Sequence, residues 1–234
     1  MPITEIRPDL YRLTVGAYQA YLWRDQDSAT LIDACGVGAG AELAMLLGEV
    51  GMATSDVDRL VLTHFHPDHT GGAAEVAAWG SVEVLAGAAD APVIRGDIEA
   101  PAPNLRSDRE RAMAANIMTG LAEAPPCRVD RELTDGVLLD VAGGAQVIHG
   151  PGHTEGSIGL FLREPRVLFT GDTVAHFESQ VLVGPFNIDT ERAVESFRLL
   201  AGFDADVACF GHGDPIVGNA HDILATAAKN PFTI

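Results

Sequence analysis

Short runs of apolar and β-branched residues recur along the chain, and each closes on Gly, Pro, Asp or His. In the first third, Leu10-Tyr11-Arg12-Leu13-Thr14-Val15, Ala20-Tyr21-Leu22-Trp23 and Ala29-Thr30-Leu31-Ile32 have the length and residue types of strands. The segment 41–50 has helical composition, with Gly51 as its stop. Val57 to Thr63 predicts a further buried strand that runs directly into a histidine-rich segment, followed by a helix over 71–79 and a strand over 82–85. The second half repeats the theme. Strands are predicted over 137–141, 145–148, 157–162, 166–170 and 207–210, and helices over 190–200 and 221–229. Thr190 can cap the first of these helices, and Glu191 suits the positive end of its dipole. There is no short-period repeat, and the two similar halves predict two sheets packed face to face with helices outside.

Residues 95–128 interrupt this rhythm. Pro101, Pro103, Pro125 and Pro126 frame a stretch, 107–121, with the composition of one or two helices. It is read either as a surface loop with a helix or as a substrate-covering insertion, since long interruptions of compact domains often carry specificity. At 234 residues the chain can bury one sizeable core, so 1–234 is expected to be a single domain.

Charge narrows the field. The net charge of −18 opposes binding to phosphate backbones, so no nucleic-acid partner is expected. The first residues lack the basic start and apolar stretch of a signal peptide, and no apolar run is long enough for a membrane span. Cys35, Cys127 and Cys209 lie far apart and cannot all pair, which makes a reducing cytoplasm the expected location. They are read as small buried hydrophobes. Oligomeric state is not legible.

Metal-capable side chains concentrate where strand patterns end. Thr63-His64-Phe65-His66-Pro67-Asp68-His69 sets three imidazoles and a carboxylate within six positions, a group costly to bury together unless a cation binds it. His64 and His66 alternate as in an extended segment and can share one side, whereas Pro67 turns Asp68 and His69 toward a second direction. That arrangement suits two neighbouring metals better than one. Three further strand ends carry His153 (Gly150-Pro151-Gly152-His153), Asp172 (Thr170-Gly171-Asp172-Thr173) and His212 (Gly211-His212-Gly213). Asp33 also ends a strand, where it is read either as a turn residue or as a carboxylate orienting a ligand histidine. His149 and His221 are taken as structural.

The ordered set resembles the metallo-β-lactamase superfamily, whose H-x-H-x-D-H signature is matched from His64 to His69, with His153, Asp172 and His212 following in family order. The resemblance covers nearly the whole chain. It implies an α+β fold, a four-layer αβ/βα sandwich of two mixed sheets with the metal site at one edge. It further implies that His64, His66 and His153 bind one metal, that Asp68, His69 and His212 bind the other, and that Asp172 bridges both. Zinc is the usual occupant; ligand type alone also admits iron or manganese. The implied activity is a hydrolase in which a metal-bridging hydroxide attacks an ester, thioester or lactone carbonyl of a small molecule, with Asp68 as the catalytic carboxylate.

Enzymes of the superfamily that destroy β-lactams generally lack a bridging aspartate at the position of Asp172, which places this chain nearer the hydroxyacylglutathione hydrolase and lactonase-like branches. It departs from both. Lys229 is the one strong base after His212, whereas the glutathione enzymes carry a basic C-terminal region. No tyrosine follows Asp172, where lactonases commonly place one; His176 and Phe177 occupy that region. His176, Phe177 and Phe186 are the candidate substrate contacts, with the Val181-Leu182-Val183 run giving an apolar wall. Persulfide dioxygenases of the same superfamily, with a similar ligand set around a single iron, are the alternative activity. β-Lactam hydrolysis and a non-catalytic metal-binding module are the remaining readings.

Overall fold

A computed structural model describes every residue except Met1, Asp27, Thr119 and Ile234. The chain forms two compact units, Met1–Glu99 with Ala122–Leu133, and Ala100–Leu121 with Thr134–Ile234.

The first unit is a seven-stranded mixed sheet in sequential order. β1 (Ile3–Arg7), β2 (Leu10–Val15), β3 (Tyr18–Arg24) and β4 (Ala29–Ile32) form an antiparallel meander. From β4 the pairing turns parallel, through β5 (Val57–Leu62), β6 (Glu83–Gly87) and β7 (Arg131–Leu133). Parallel strands are covered on both faces and therefore read as continuous apolar runs, which accounts for Ala29–Ile32 and Leu60–Leu62 being wholly buried. Helix α1 (Gly40–Glu49) packs on β2 and on α3 (Ala73–Ala77); α2 (Pro67–Thr70) lies against β3, and α4 (Ala91–Ile94) follows β6. The helix expected over 71–79 is the shorter α3, which starts at Ala73, and α2 precedes it across Gly71-Gly72. Leu10, Leu13, Leu22, Leu43, Leu47 and Leu60 are fully buried in this core.

The second unit opens with α5 (Asp108–Met118), inside the stretch expected to be helical. Ser107 and Glu110 form a reciprocal cap: the Ser107 hydroxyl accepts from the Glu110 N–H, while the Glu110 carboxylate accepts from the N–H groups of Arg106 and Ser107. Six strands follow as a second mixed sheet: β8 (Leu138–Leu139), β9 (Ala145–His149), β10 (Ile158–Leu162), β11 (Val167–Phe169), β14 (Val207–Cys209) and β15 (Ile216–Val217). Between β11 and β14 the chain makes a separate hairpin, β12 (Val174–Phe177) and β13 (Gln180–Val183), and then α6 (Thr190–Leu200). The hairpin occupies a region for which the sequence pattern predicts no strand. The cap of α6 is Asp189 rather than Thr190: its carboxylate accepts from the N–H groups of Glu191 and Arg192. α7 (Ala220–Ala227) packs on β13 and β14. Phe197 and Leu200 of α6 share a core with Ile148, Leu168, Val174 and Phe210. Each unit is therefore a mixed sheet with helices, in keeping with the αβ/βα sandwich class.

All three cysteines are free and buried, as their spacing implied. Among the described residues, no helix is long and apolar enough to cross a membrane.

Candidate metal centre

Strand direction explains why the candidate ligands collect at sheet edges. In the first unit β4 and β5 are parallel neighbours, so the residues after their C-terminal ends emerge at the same edge. Asp33 follows β4 there and Thr63-His64 follows β5, with the Asp33 N–H donating to the Val61 carbonyl at 2.9 Å. Asp33 holds a left-handed backbone (φ 63°) and is buried, and its carboxylate is fully engaged. It accepts from the Thr63 N–H at 2.8 Å, from the Thr63 hydroxyl at 2.9 Å and from His69 Nδ1 at 2.8 Å.

This network fixes proton positions on two histidines. A carboxylate can only accept here, so His69 carries a proton on Nδ1, and in the neutral ring Nε2, 3.7 Å from Asp68 Oδ2, keeps a lone pair. Thr63 spends its one hydroxyl proton on Asp33 and must accept from its other neighbour, His64 Nδ1 at 3.0 Å. His64 is therefore also an Nδ1–H tautomer, and its Nε2 faces His66 Nδ1 at 3.1 Å. The three rings are packed together, with centroids 4.8 Å apart for His64–His66 and 4.1 Å for His64–His69. Asp90, a residue given no role by sequence reasoning, is buried and accepts from the Phe65 N–H at 3.0 Å, which holds the backbone between His64 and His66.

The second unit builds its donor set the same way. β11 and β14 are parallel neighbours, and β9 runs in their direction because β9 and β11 are each antiparallel to β10. Their C-terminal ends lead to Asp172, His212 and His153. Asp172 Oδ2 lies 3.3 Å from His212 Nε2 and 3.8 Å from His153 Nε2. Asp172 and His153 are buried, whereas His212 is partly open to solvent. Gly184 backs the aspartate so closely that a Cβ there would lie 1.8 Å from the Asp172 carbonyl oxygen.

Asn187 completes this half, and sequence reasoning missed it. It is buried, and its amide donates to the Gly184 carbonyl at 2.6 Å, which orients the side chain and turns Oδ1 toward His153 Nδ1 at 3.3 Å. His153 thereby becomes a third Nδ1–H tautomer with Nε2 facing a carboxylate. No sequence signal marks Asn187, which lies 34 positions from its partner. The preceding Phe186 sits in the left-handed region (φ 62°), a strained conformation for an aromatic residue of the kind that gathers near functional sites.

The remaining candidates are placed as follows. Phe177, at the end of β12, is 65% exposed and Phe186 is half-buried. His176 directs Nδ1 to the Asp214 carbonyl at 2.7 Å. His149 and His221 make contacts with backbone carbonyls, Glu155 and Phe203 respectively.

In each unit imidazoles and carboxylates lie together, and His64, His69 and His153 are held through Nδ1, a donor set that suits divalent cations. Residues 13–212 match the metallo-beta-lactamase superfamily, and the chain belongs to it. Among characterised sequences it is 28% identical to the Bacillus subtilis (strain 168) protein "Probable metallo-hydrolase YflN", over 93% of this chain and 92% of that one. It is 28% identical to the hydroxyacylglutathione hydrolase GloC of Haemophilus influenzae, over 86% and 89% of the two chains. A shorter match, 38% identical over 49% of this chain and 40% of the other, is to the acyl-coenzyme A thioesterase MBLAC2 of Gallus gallus. Among solved structures, BJP-1, a subclass B3 metallo-beta-lactamase of Bradyrhizobium japonicum, superposes with a TM-score of 0.72 at 18% identity, over 98% of this chain and 90% of that one. That likeness shows a shared fold.

Proposed function

We propose that this protein is a binuclear zinc hydrolase that cleaves the acyl carbonyl of a small thioester, ester or lactone in the cytoplasm. The observation that carries this reading is the set of contacts at Nδ1 of His64, His69 and His153, which in the neutral rings leaves each Nε2 with a lone pair. A hydrogen-bonded polar loop would not require two separate networks, one through Asp33 and one through Asn187, with the same outcome.

His64, His66 and His153 are assigned to one zinc and Asp68, His69 and His212 to the other, with Asp172 shared. Bound zinc supplies a water acidic enough to act as a nucleophile near neutral pH and polarises the carbonyl under attack. The protein's own contributions are positional and protonic. Asp33 acts on His69 directly and on His64 through Thr63, and Asn187 acts on His153. Asp68, less buried than His69 and close to its Nε2, takes the proton from the attacking water and delivers it to the leaving group. No serine or cysteine nucleophile is needed; Cys35 in particular is buried, which pushes its thiol up to about 12.

The thioester class is favoured by the names of two similar proteins, a hydroxyacylglutathione hydrolase and an acyl-coenzyme A thioesterase. Phe177 and Phe186 are assigned to the acyl group, and the strongly negative chain excludes a polyphosphate backbone as partner. Zinc-loaded protein is expected to hydrolyse an acyl thioester, and Asp172→Ala to abolish turnover together with part of the metal content. Retention of both by Asp172→Ala would overturn the assignment.

A further inference from the structure

The β12–β13 hairpin begins two residues after Asp172 and meets the Gly211-His212-Gly213-Asp214 loop through His176. The His176 N–H donates to the His212 carbonyl at 3.3 Å. Its ring Nδ1 lies 2.7 Å from the Asp214 carbonyl, and since a carbonyl only accepts, Nδ1 carries the proton. Its own carbonyl is pressed against Gly213, where a Cβ would fall 1.6 Å from the oxygen and where φ is +96°, so only glycine fits beneath it. The ring also packs on Phe210 at 5.6 Å between centroids, at the strand end from which the loop departs.

We infer that His176 is a positioning residue for His212, and that the hairpin ties the loop bearing His212 to the strand end bearing Asp172. The role follows from exposure. His64, His69 and His153 are buried, whereas His212 is partly open and sits in a short loop between glycines. Fixing the carbonyls on either side of Gly213 removes the backbone freedom that these glycines would otherwise give the ligand.

The inference rests on the reading of His212 as a metal ligand, so its test has one arm without metal. His176→Ala removes the ring donor but keeps the backbone bond; His176→Asn restores an N–H near the position of Nδ1. In metal-free protein, backbone amide exchange across 209–216 is expected to quicken about tenfold in His176→Ala and to return toward wild type in His176→Asn, with little change elsewhere. In zinc titrations, His176→Ala is expected to weaken the second zinc by 10- to 100-fold, the range for loss of a partner that orients a ligand. The first zinc should be unchanged and the Asn variant largely rescued. Unchanged exchange in His176→Ala, or exchange equally fast in Ala and Asn, overturns the positioning role. Wild-type protein that binds no second zinc overturns the binuclear reading, and the exchange arm then still decides the role of His176 in holding the loop.

Discussion

Asp33→Asn is the sharpest perturbation of the proposed centre because it changes no volume and reverses one direction of hydrogen bonding. Asparagine tolerates the left-handed backbone of this position at least as well as aspartate, so backbone strain does not confound the result. The Thr63 N–H, 2.8 Å from Oδ1, keeps the amide oxygen on its side. The amide nitrogen then stands where Oδ2 accepted from the Thr63 hydroxyl and from His69 Nδ1. His69 must move its proton to Nε2 to meet the new donor. Thr63 must turn its hydroxyl proton to His64 Nδ1, which drives the His64 proton to Nε2 as well. Two donor nitrogens thus lose the lone pair that a metal would use, and recovering it leaves two buried groups mispaired at about 1.5 kcal/mol each. The sum, about 3 kcal/mol, corresponds to about a 100-fold loss of zinc affinity at about 1.4 kcal/mol per tenfold. A competition titration against a chromophoric chelator measures it. Thermal unfolding of the metal-free variant should stay within about 1 kcal/mol of wild type, because the tautomers can then rearrange freely. Zinc affinity within threefold of wild type would refute the reasoning. So would a metal-free protein destabilised by as much as the affinity lost, which would make Asp33 only a residue of the fold.

Other consequences follow from the same contacts. Asn187→Leu removes the acceptor for His153 Nδ1 and the donor to the Gly184 carbonyl within a buried pocket, and urea unfolding should show a loss of about 2–4 kcal/mol. Gly184→Ala places a Cβ against the Asp172 carbonyl, so the backbone must shift; calorimetry should show more than about 3 kcal/mol lost, together with weakened zinc binding, and a neutral result would contradict the packing described. Cys35, its thiol pushed up to about 12 by burial, should resist iodoacetamide at pH 8 in native protein and react once unfolded, read by intact mass. Its raised value also means that the folded chain keeps a proton the unfolded chain loses, so this contribution to stability is full below about pH 9 and falls away as pH rises toward 12.

Much of this was legible in the sequence because the relevant signals are local. Continuous apolar runs marked β4, β5 and β11, and the ligands cluster just beyond strand ends, so spacing alone gathered His64, His66, Asp68 and His69. The β12–β13 hairpin was not legible. Its two-residue turn, Glu178-Ser179, has φ of 48° and 63°, the left-handed geometry that Asn-Gly usually announces, and neither residue advertises it. Val181-Leu182-Val183 consequently read as the wall of a loop. The helix cap at Asp189 was missed by one position because two cap-competent residues are adjacent. Asn187 and Asp90 escaped for a different reason: a single buried polar residue has no periodicity, and its meaning exists only once the chain has brought its partner to it. The tautomers of His64 and His69 are likewise a product of three-dimensional contact, passing from β4 through Asp33 and Thr63.

The most direct test of the whole account is the number of metal equivalents needed to restore thioester hydrolysis to metal-free protein, followed by stepwise addition of zinc under anaerobic conditions. Activity rising to a plateau at two zinc ions per chain is the predicted result. A plateau at one equivalent, or hydrolysis that zinc fails to restore, would contradict the binuclear hydrolase.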